Sequence, residues 1–276
     1  MVYAVAVVLP GLAIADDKAA SAAGAWNYEA SIYLFLPSIG GTTTFPAGGS
    51  GINLDGSKIL ENLNFTFMGA FDVHKGPWGV WNDLVYVNLG NSKMASRDFT
   101  IGNIGLPAGT SANLNFDIKA WVWTLAAEYR VWDEPLLKVD LLAGTRYFDL
   151  TEKLTWSITG NLGPINPSGR SGSAEAGSPL WDGIVGVKGH VTLGADSKWS
   201  VPFYLDGGAG DSSHTWQAAA GIAYSFRWGE IIGMWRYLDY GLSGNNISSV
   251  NFKGPGSTIV PVSFIVHAPG APSVTI

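Results

Sequence analysis

The chain contains no cysteine, so neither a disulfide framework nor a thiolate metal site holds it together. Charge is scarce: 14% of the 276 residues are Asp, Glu, Lys or Arg, against roughly 25% in an ordinary soluble domain. A surface in water needs more charge than that, yet 47% of the residues are hydrophobic. Long apolar runs are missing as well. After the N-terminus no stretch of about 18 apolar residues occurs, which argues against membrane helices. A closed β-barrel is then the remaining way to satisfy every backbone polar group in lipid. Basic residues are outnumbered, 16 against 22, and the formal charge of −6 speaks against nucleic acid as a partner. What is abundant is Gly (36) and Trp (12). Glycine suits close strand packing, and Trp suits a water–lipid interface.

Residues 1–15 read as the back half of a secretory signal. Val2 to Ile14 is nearly all apolar, and Ala13-Ile14-Ala15 has the small-x-small form that signal peptidase cuts. No Lys or Arg precedes Lys18, so the basic n-region of such a signal is missing. An apolar N-terminal strand is the alternative reading. Residues 16–25 form a flexible Ala/Ser/Gly stretch, residues 26–267 the barrel, and residues 268–276 a tail.

Alternating segments follow one another through the barrel region. They predict strands at 27–36, 64–73, 79–90, 116–131, 136–156, 180–193, 198–206, 213–227, 230–240 and 257–266. Most reach the 9–11 residues, or more, of a tilted membrane strand. The fold class expected is all-β: a transmembrane antiparallel up-and-down β-barrel of about ten strands, with 8 or 12 as alternatives. Connections after strands 2, 4, 6 and 8 are short (74–78, 132–135, 194–197, 228–229). Those after strands 1, 3, 5 and 9 are long and rich in Gly, Ser, Asn and Pro; only Gly207–Ser212 breaks the pattern. Short turns on one side and long loops on the other are the layout of bacterial barrels, and an even strand count puts both chain ends in the periplasm. Within the first long loop, Ser57–Asn62 is expected to form one helical turn.

The two faces of most strands separate by parity. Trp121, Trp123, Leu125, Ala127 and Tyr129 oppose Thr124, Glu128 and Arg130. Val139, Leu141, Ala143 and Tyr147 oppose Asp140, Gly144 and Arg146. Trp216, Ala218, Ala220, Ile222, Tyr224 and Phe226 oppose Gln217, Gly221, Ser225 and Arg227. Phe65, Phe67, Phe71 and Val73 oppose Thr66 and Asp72. Apolar faces with aromatics toward their ends, backed by small or polar faces with single charges, fit an apolar-out, polar-in barrel. A soluble sandwich or lipocalin-like barrel would instead carry a solvent face dense in Lys, Glu and Thr.

Several segments resemble a known group. Thr215-Trp-Gln-Ala-Ala-Ala-Gly-Ile-Ala-Tyr-Ser-Phe226, followed by Gly233-Met-Trp-Arg-Tyr-Leu-Asp-Tyr240, resembles the last hairpin of small proteobacterial outer-membrane β-barrel proteins of the OmpA- and OmpW-like superfamily. Ser57 to Asn62, Phe67-Met-Gly-Ala-Phe71, Trp78 to Tyr86 and Gly144-Thr-Arg-Tyr-Phe-Asp-Leu150 are similar to the same group. The resemblance covers most of residues 26–241. It implies an outer-membrane location and carries no agreed catalytic residues. Such barrels usually end on an aromatic residue; here Thr258–Val266 runs on into His267–Ile276, which leaves the strand count at the C-terminus open.

Parity points Glu29, Asp72, Glu128, Asp140, Asp182 and Asp206 into the lumen with Arg130, Arg146, Lys188, Arg227 and Arg236. Asp83 joins them less clearly, because it shares a face with Trp81 and Val85. In so narrow a space these charges are expected to pair, since buried unpaired charge is expensive. Two readings of the lumen stay open: a charge-paired plug with a structural or surface-interaction role, or a narrow passive channel whose acid excess favours cations. Arg146-Tyr-Phe-Asp149 and Arg236-Tyr-Leu-Asp239 repeat one pattern, with Arg in the lumen, Tyr in the outer girdle and Asp near the rim. A surface hydrolase is the third reading. His74, His190 and His267 lie off the extracellular rim. His214, beside Asp211, Ser212 and Ser213, makes a poor triad because sequence neighbours on a strand point to opposite faces. No enzyme activity, metal or cofactor is expected; Gly207–Gly210 reads as a loop tip. Outer-membrane lipid is the expected surrounding and the monomer the expected state. The long loops Gly41–Gly56, Ser92–Asn113 and Ile158–Ser178 are the expected places for a surface ligand.

Overall fold

A computed structural model describes residues 26–35, 38–45, 48–54, 63–93, 100–101, 104–105, 111–159, 171–195, 197–226, 229–242 and 247–266. Fourteen strands occur among them: β1 (Trp26–Phe35), β2 (Ser38–Phe45), β3 (Gly48–Leu54), β4 (Leu63–Lys75), β5 (Trp78–Lys93), β6 (Thr100–Ile101), β7 (Ile104–Gly105), β8 (Ser111–Glu134), β9 (Leu137–Thr159), β10 (Ser171–Thr192), β11 (Trp199–Gly210), β12 (His214–Phe226), β13 (Gly229–Gly241) and β14 (Ile247–Val266). The ten long ones, β1, β4, β5 and β8 to β14, pair antiparallel in chain order. β1 then pairs with β14, from Trp26↔Val266 to Phe35↔Gly256, so each of the ten has a neighbour on both sides. All ten strands expected from the sequence are present.

The loop side differs from expectation. Residues 41–56 were expected as loop, but β2 and β3 form a hairpin there, and β2 pairs with the loop-side half of β14. β14 begins at Ile247 rather than near 257, β8 begins at Ser111, and β10 begins at Ser171. The long connections are therefore partly extensions of the barrel wall. The expected exception after strand 7 shrinks to Asp211–Ser213, because β11 runs on through Gly210. The helical turn at 57–62, the signal segment and the tail lie outside the described residues.

Turn chemistry explains the short side. Between β4 and β5 two residues suffice, Gly76 and Pro77. Gly76 has φ 59°, the sign that two-residue hairpin turns demand at their first central position. One proline sits where a ladder slips: in β14 the register against β1 shifts across Val260 and Pro261, and a residue without an N–H fits at such an irregularity.

The outer surface is apolar and aromatic in bands. Trp26, Trp78, Tyr129, Trp132, Trp199 and Phe226 ring the turn side; Trp121, Trp123, Trp181, Trp216 and Trp235 ring the loop side. Val80, Leu125, Leu141, Val185, Leu205 and Ile222 lie exposed between them. From Trp123 to Trp132 is nine residues, which at ~3.3 Å per residue and a tilt of ~40° gives about 23 Å along the axis. That matches an apolar band of about 25 Å. Water would penalise this surface; hydrocarbon accepts it.

Some strand glycines permit close backbone approach. A Cβ on Gly144 would stand 2.1 Å from Leu125 O and 2.4 Å from Ala126 Cα, whereas one on Gly233 would meet nothing within 4 Å. Gly144→Val should therefore lower the unfolding free energy of the detergent-refolded protein in urea by ~1–3 kcal/mol or more. Gly233→Ala should leave that free energy within ~0.5 kcal/mol. Tryptophan fluorescence follows both; equal behaviour of the two variants contradicts the packing described.

Candidate functional site

Alternation delivers one side chain in two to the lumen, and three groups of charge meet there. Nearest the turns, Arg130 of β8 grips Asp140 of β9 with two hydrogen bonds, Nε–Oδ1 at 2.8 Å and Nη2–Oδ2 at 3.1 Å. Lys188 of β10 reaches across the lumen to Asp72 of β4. Its Nζ also lies 2.6 Å from Glu128 Oε1 and 4.1 Å from the centre of the Trp81 ring. His74 of β4 stands among these acids, Nε2 2.7 Å from Glu128 Oε2 and 3.1 Å from Asp72 Oδ1.

The second group centres on Arg146, which is 0% exposed. It donates to both oxygens of Asp206 on β11, to Thr124 at 3.1 Å and to Thr215 at 3.4 Å; Tyr204 OH donates to the same carboxylate. In the third group Arg236 of β13 donates to Asp83 of β5 at 2.8 Å, to Gln217 at 2.8 Å and to Tyr33 OH at 2.9 Å. Tyr33 in turn donates to Asp83. Asp83 thus lies firmly in the lumen, together with Trp81 and Val85.

Of the other expected lumen residues, Glu29 faces Asp72 across the β1–β4 pair. Asp182 is buried but takes no cation in these contacts; its Oδ1 accepts the Ser212 amide at 3.0 Å. Arg227 lies outside the described residues. The repeated Arg-Tyr-x-Asp pattern behaves as expected. Each Arg is buried in the lumen, and Tyr147 and Tyr237 each donate on the outer face to the Asp two residues on, at 3.3 Å.

Two expectations need correcting. The lumen is not polar throughout. Toward the loops it is packed with Met68, Val87, Leu89, Ile118, Val122, Leu150 and Leu238, and Phe148 stacks on Tyr240 at 4.1 Å with Phe252 edge-on. Parity assigns aromatics to the lipid face, but these three point inward. The sequence shows no His/Asp/Glu cluster of metal-ligand spacing, yet the fold brings one ligand atom each from Asp72, His74 and Glu128 to within 4.8 Å of one another. The signal in the sequence was Asp72-x-His74, two residues apart on one strand and so on one face. Glu128 comes from a strand that is not an immediate neighbour.

At the rim, Ser213 precedes β12, so the parity argument against it does not apply. Its Oγ lies 3.3 Å from His214 Nδ1, and His214 Nε2 lies 3.3 Å from Asp239 Oδ2. The same Oγ donates to Gly241 O at 2.8 Å. Asp211, the expected neighbour, instead accepts the Trp181 amide at 2.9 Å.

No family model matches the chain, and no curated protein does. Among solved structures it is similar to the outer membrane protease OmpT of Escherichia coli, with 9% identity and a TM-score of 0.48 over 89% of this chain and 99% of that one. It is similar to Ail, the attachment invasion locus protein of Yersinia pestis, with 10% identity and a TM-score of 0.34 over 87% and 99%. The translocator domain of the autotransporter NalP of Neisseria meningitidis gives 13% identity and a TM-score of 0.39 over 88% and 90%.

Arg146→Met should cost about 3–5 kcal/mol by leaving Asp206 buried without its counter-ion. The double variant Arg146→Met/Asp206→Leu should recover most of that loss. Urea titrations of the refolded single and double variants measure both, and a single variant as stable as the parent contradicts the pairing.

Proposed function

We propose that this chain is a bacterial outer-membrane barrel with a filled lumen, acting as a monomer in a structural or surface-interaction role. The carrying observation is the cross-lumen contact of Arg236 with Asp83 and Tyr33. It bridges strands far apart around the ring, under a layer of Phe148, Tyr240 and Phe252. Ten strands enclose little space to begin with. Guanidinium groups spanning it, bound to carboxylate and hydroxyl partners, support a lumen that is filled and not open to ions. The aromatic bands and the apolar zone between them suit outer-membrane lipid. Interaction with other molecules then falls to the loop side, where β2 and β3 add strands beyond the ring.

Catalysis has no part in this reading. The Ser213 hydroxyl spends its hydrogen on Gly241 O, and His214 is exposed beside it. A serine so engaged is not activated as a nucleophile.

Planar-bilayer recording tests the proposal. The purified, refolded chain should give no discrete conductance steps, and the double variant Arg236→Ala/Asp83→Ala should introduce small ones. Regular steps from the parent chain would establish the narrow cation-favouring channel instead.

A further inference from the structure

Two of the three lumen charge groups are self-sufficient: Asp206 and Asp83 each have a guanidinium and a tyrosine hydroxyl. The turn-side group is different. Asp140 takes Arg130, but Asp72 and Glu128 share the one ammonium of Lys188. Glu29 adds a further carboxylate directly opposite Asp72 on the neighbouring strand. Like charges so placed repel, and the group is short of positive charge.

His74 occupies the position where that charge is missing. Its Nε2 is 2.7 Å from Glu128 Oε2, 3.1 Å from Asp72 Oδ1 and 3.9 Å from Asp140 Oδ2. One N–H serves one acceptor along its axis. Asp72 Oδ1 and both Glu128 oxygens are buried and make close contacts, but no aligned hydrogen bond. His74 is 5% exposed and Glu128 1%, so bulk water does not supply one. Lys188 contacts the other oxygen of Asp72 and the other oxygen of Glu128, which leaves Oδ1 and Oε2 beside the imidazole. A tetrahedral ion with bonds of ~2.0–2.2 Å separates its ligand atoms by about 3.4 Å, so the imidazole nitrogen, 2.7 and 3.1 Å from the two oxygens, has to draw back only slightly to admit one.

We propose that Asp72, His74 and Glu128 bind one divalent transition-metal ion of the zinc class inside the lumen, near the short turns. An imidazole nitrogen with two carboxylate oxygens favours such ions over Mg²⁺ and Ca²⁺. The ion satisfies both buried oxygens, Asp72 Oδ1 and Glu128 Oε2, where one N–H serves only one, and it brings positive charge to a group crowded with carboxylates. Lys188 orients both carboxylates; Arg130 comes within 3.4 Å of His74 Nε2 but is held by its two bonds to Asp140. Their positive charge opposes that of the ion and weakens its binding. Gly79 positions the imidazole, because a Cβ there would stand 2.6 Å from His74 Cε1.

The test uses the full refolded chain, stripped with a chelator and titrated with ZnCl₂, CoCl₂, MgCl₂ and CaCl₂. One equivalent of Zn²⁺ should remain after dialysis, and Co²⁺ should give a visible d–d band that Zn²⁺ bleaches. His74→Gln and Glu128→Gln should weaken Zn²⁺ binding about tenfold or more. Gly79→Ala should do the same with every ligand intact, while His190→Gln should change nothing. Faster gel migration before boiling establishes that each variant is folded. The proposal fails if the parent chain retains no Zn²⁺, if folded His74→Gln binds as tightly as the parent, if His190→Gln removes the binding, or if Mg²⁺ and Ca²⁺ compete equally. The parent titration decides alone should the ligand variants not fold, and none of these outcomes depends on whether the lumen conducts.

Discussion

A strand edge facing hydrocarbon has no water to bond its N–H and C=O groups, so the first and last strands of a membrane sheet have to meet. The pairing of β1 with β14 meets that demand, and the interior follows from it. Closing ten strands fixes a narrow ring, and the narrow ring presses together side chains remote in sequence. Asp72 and Lys188 are 116 positions apart, Asp83 and Arg236 153. An open sheet of the same strands would leave these charges in separate places.

Once forced together, the charges obey the cost of burial. A lone ion in a dry interior loses several kcal/mol of hydration, and around Arg146 and Arg236 the carboxylates are matched by guanidinium and tied by hydrogen bonds. Arg146 and Arg236 serve as hubs because a guanidinium presents five donors in a plane and reaches several acceptors at once. Tyrosines 33 and 204 complete the carboxylates those hubs leave partly served. Toward the loops the lumen changes strategy and is filled by aromatic and aliphatic packing, which needs no partners. One barrel therefore contains two kinds of interior, stacked along its axis.

Much of this was legible in the sequence. Lipid imposes a period of two with aromatics outward, and Trp121 to Tyr129 or Trp216 to Phe226 displays it plainly. The lumen positions of Arg146, Arg236, Asp140 and Asp206 follow from the same parity. Which acid meets which base did not follow, because that depends on the stagger of strands around the ring, and no local pattern encodes it. In the sequence His74 stands only off the extracellular rim; its place among three acids depends on β4, β8 and β9 converging. Phe148, Tyr240 and Phe252 defeat the rule that aromatics mark the lipid side. The β2–β3 hairpin and the start of β14 are built from Gly, Ser, Thr and Pro, the composition of loops, so nothing in them announces a strand.

Pro261 gives the seam a history as well as a shape. Every other junction in the ring joins strands consecutive among the ten and is closed by a far shorter stretch of chain. The seam joins Trp26 to Val266, with the whole ring between them, so it bears the largest entropy of closure and the most non-local contact in the molecule. It also contains the one slip in register that its proline requires. Closure therefore comes last and slowest. Until it happens β1 and β14 present bare edges, each a template for any passing strand. The interval before the ring shuts is when this chain is most exposed to mispairing, and the irregular seam sets how long that interval lasts.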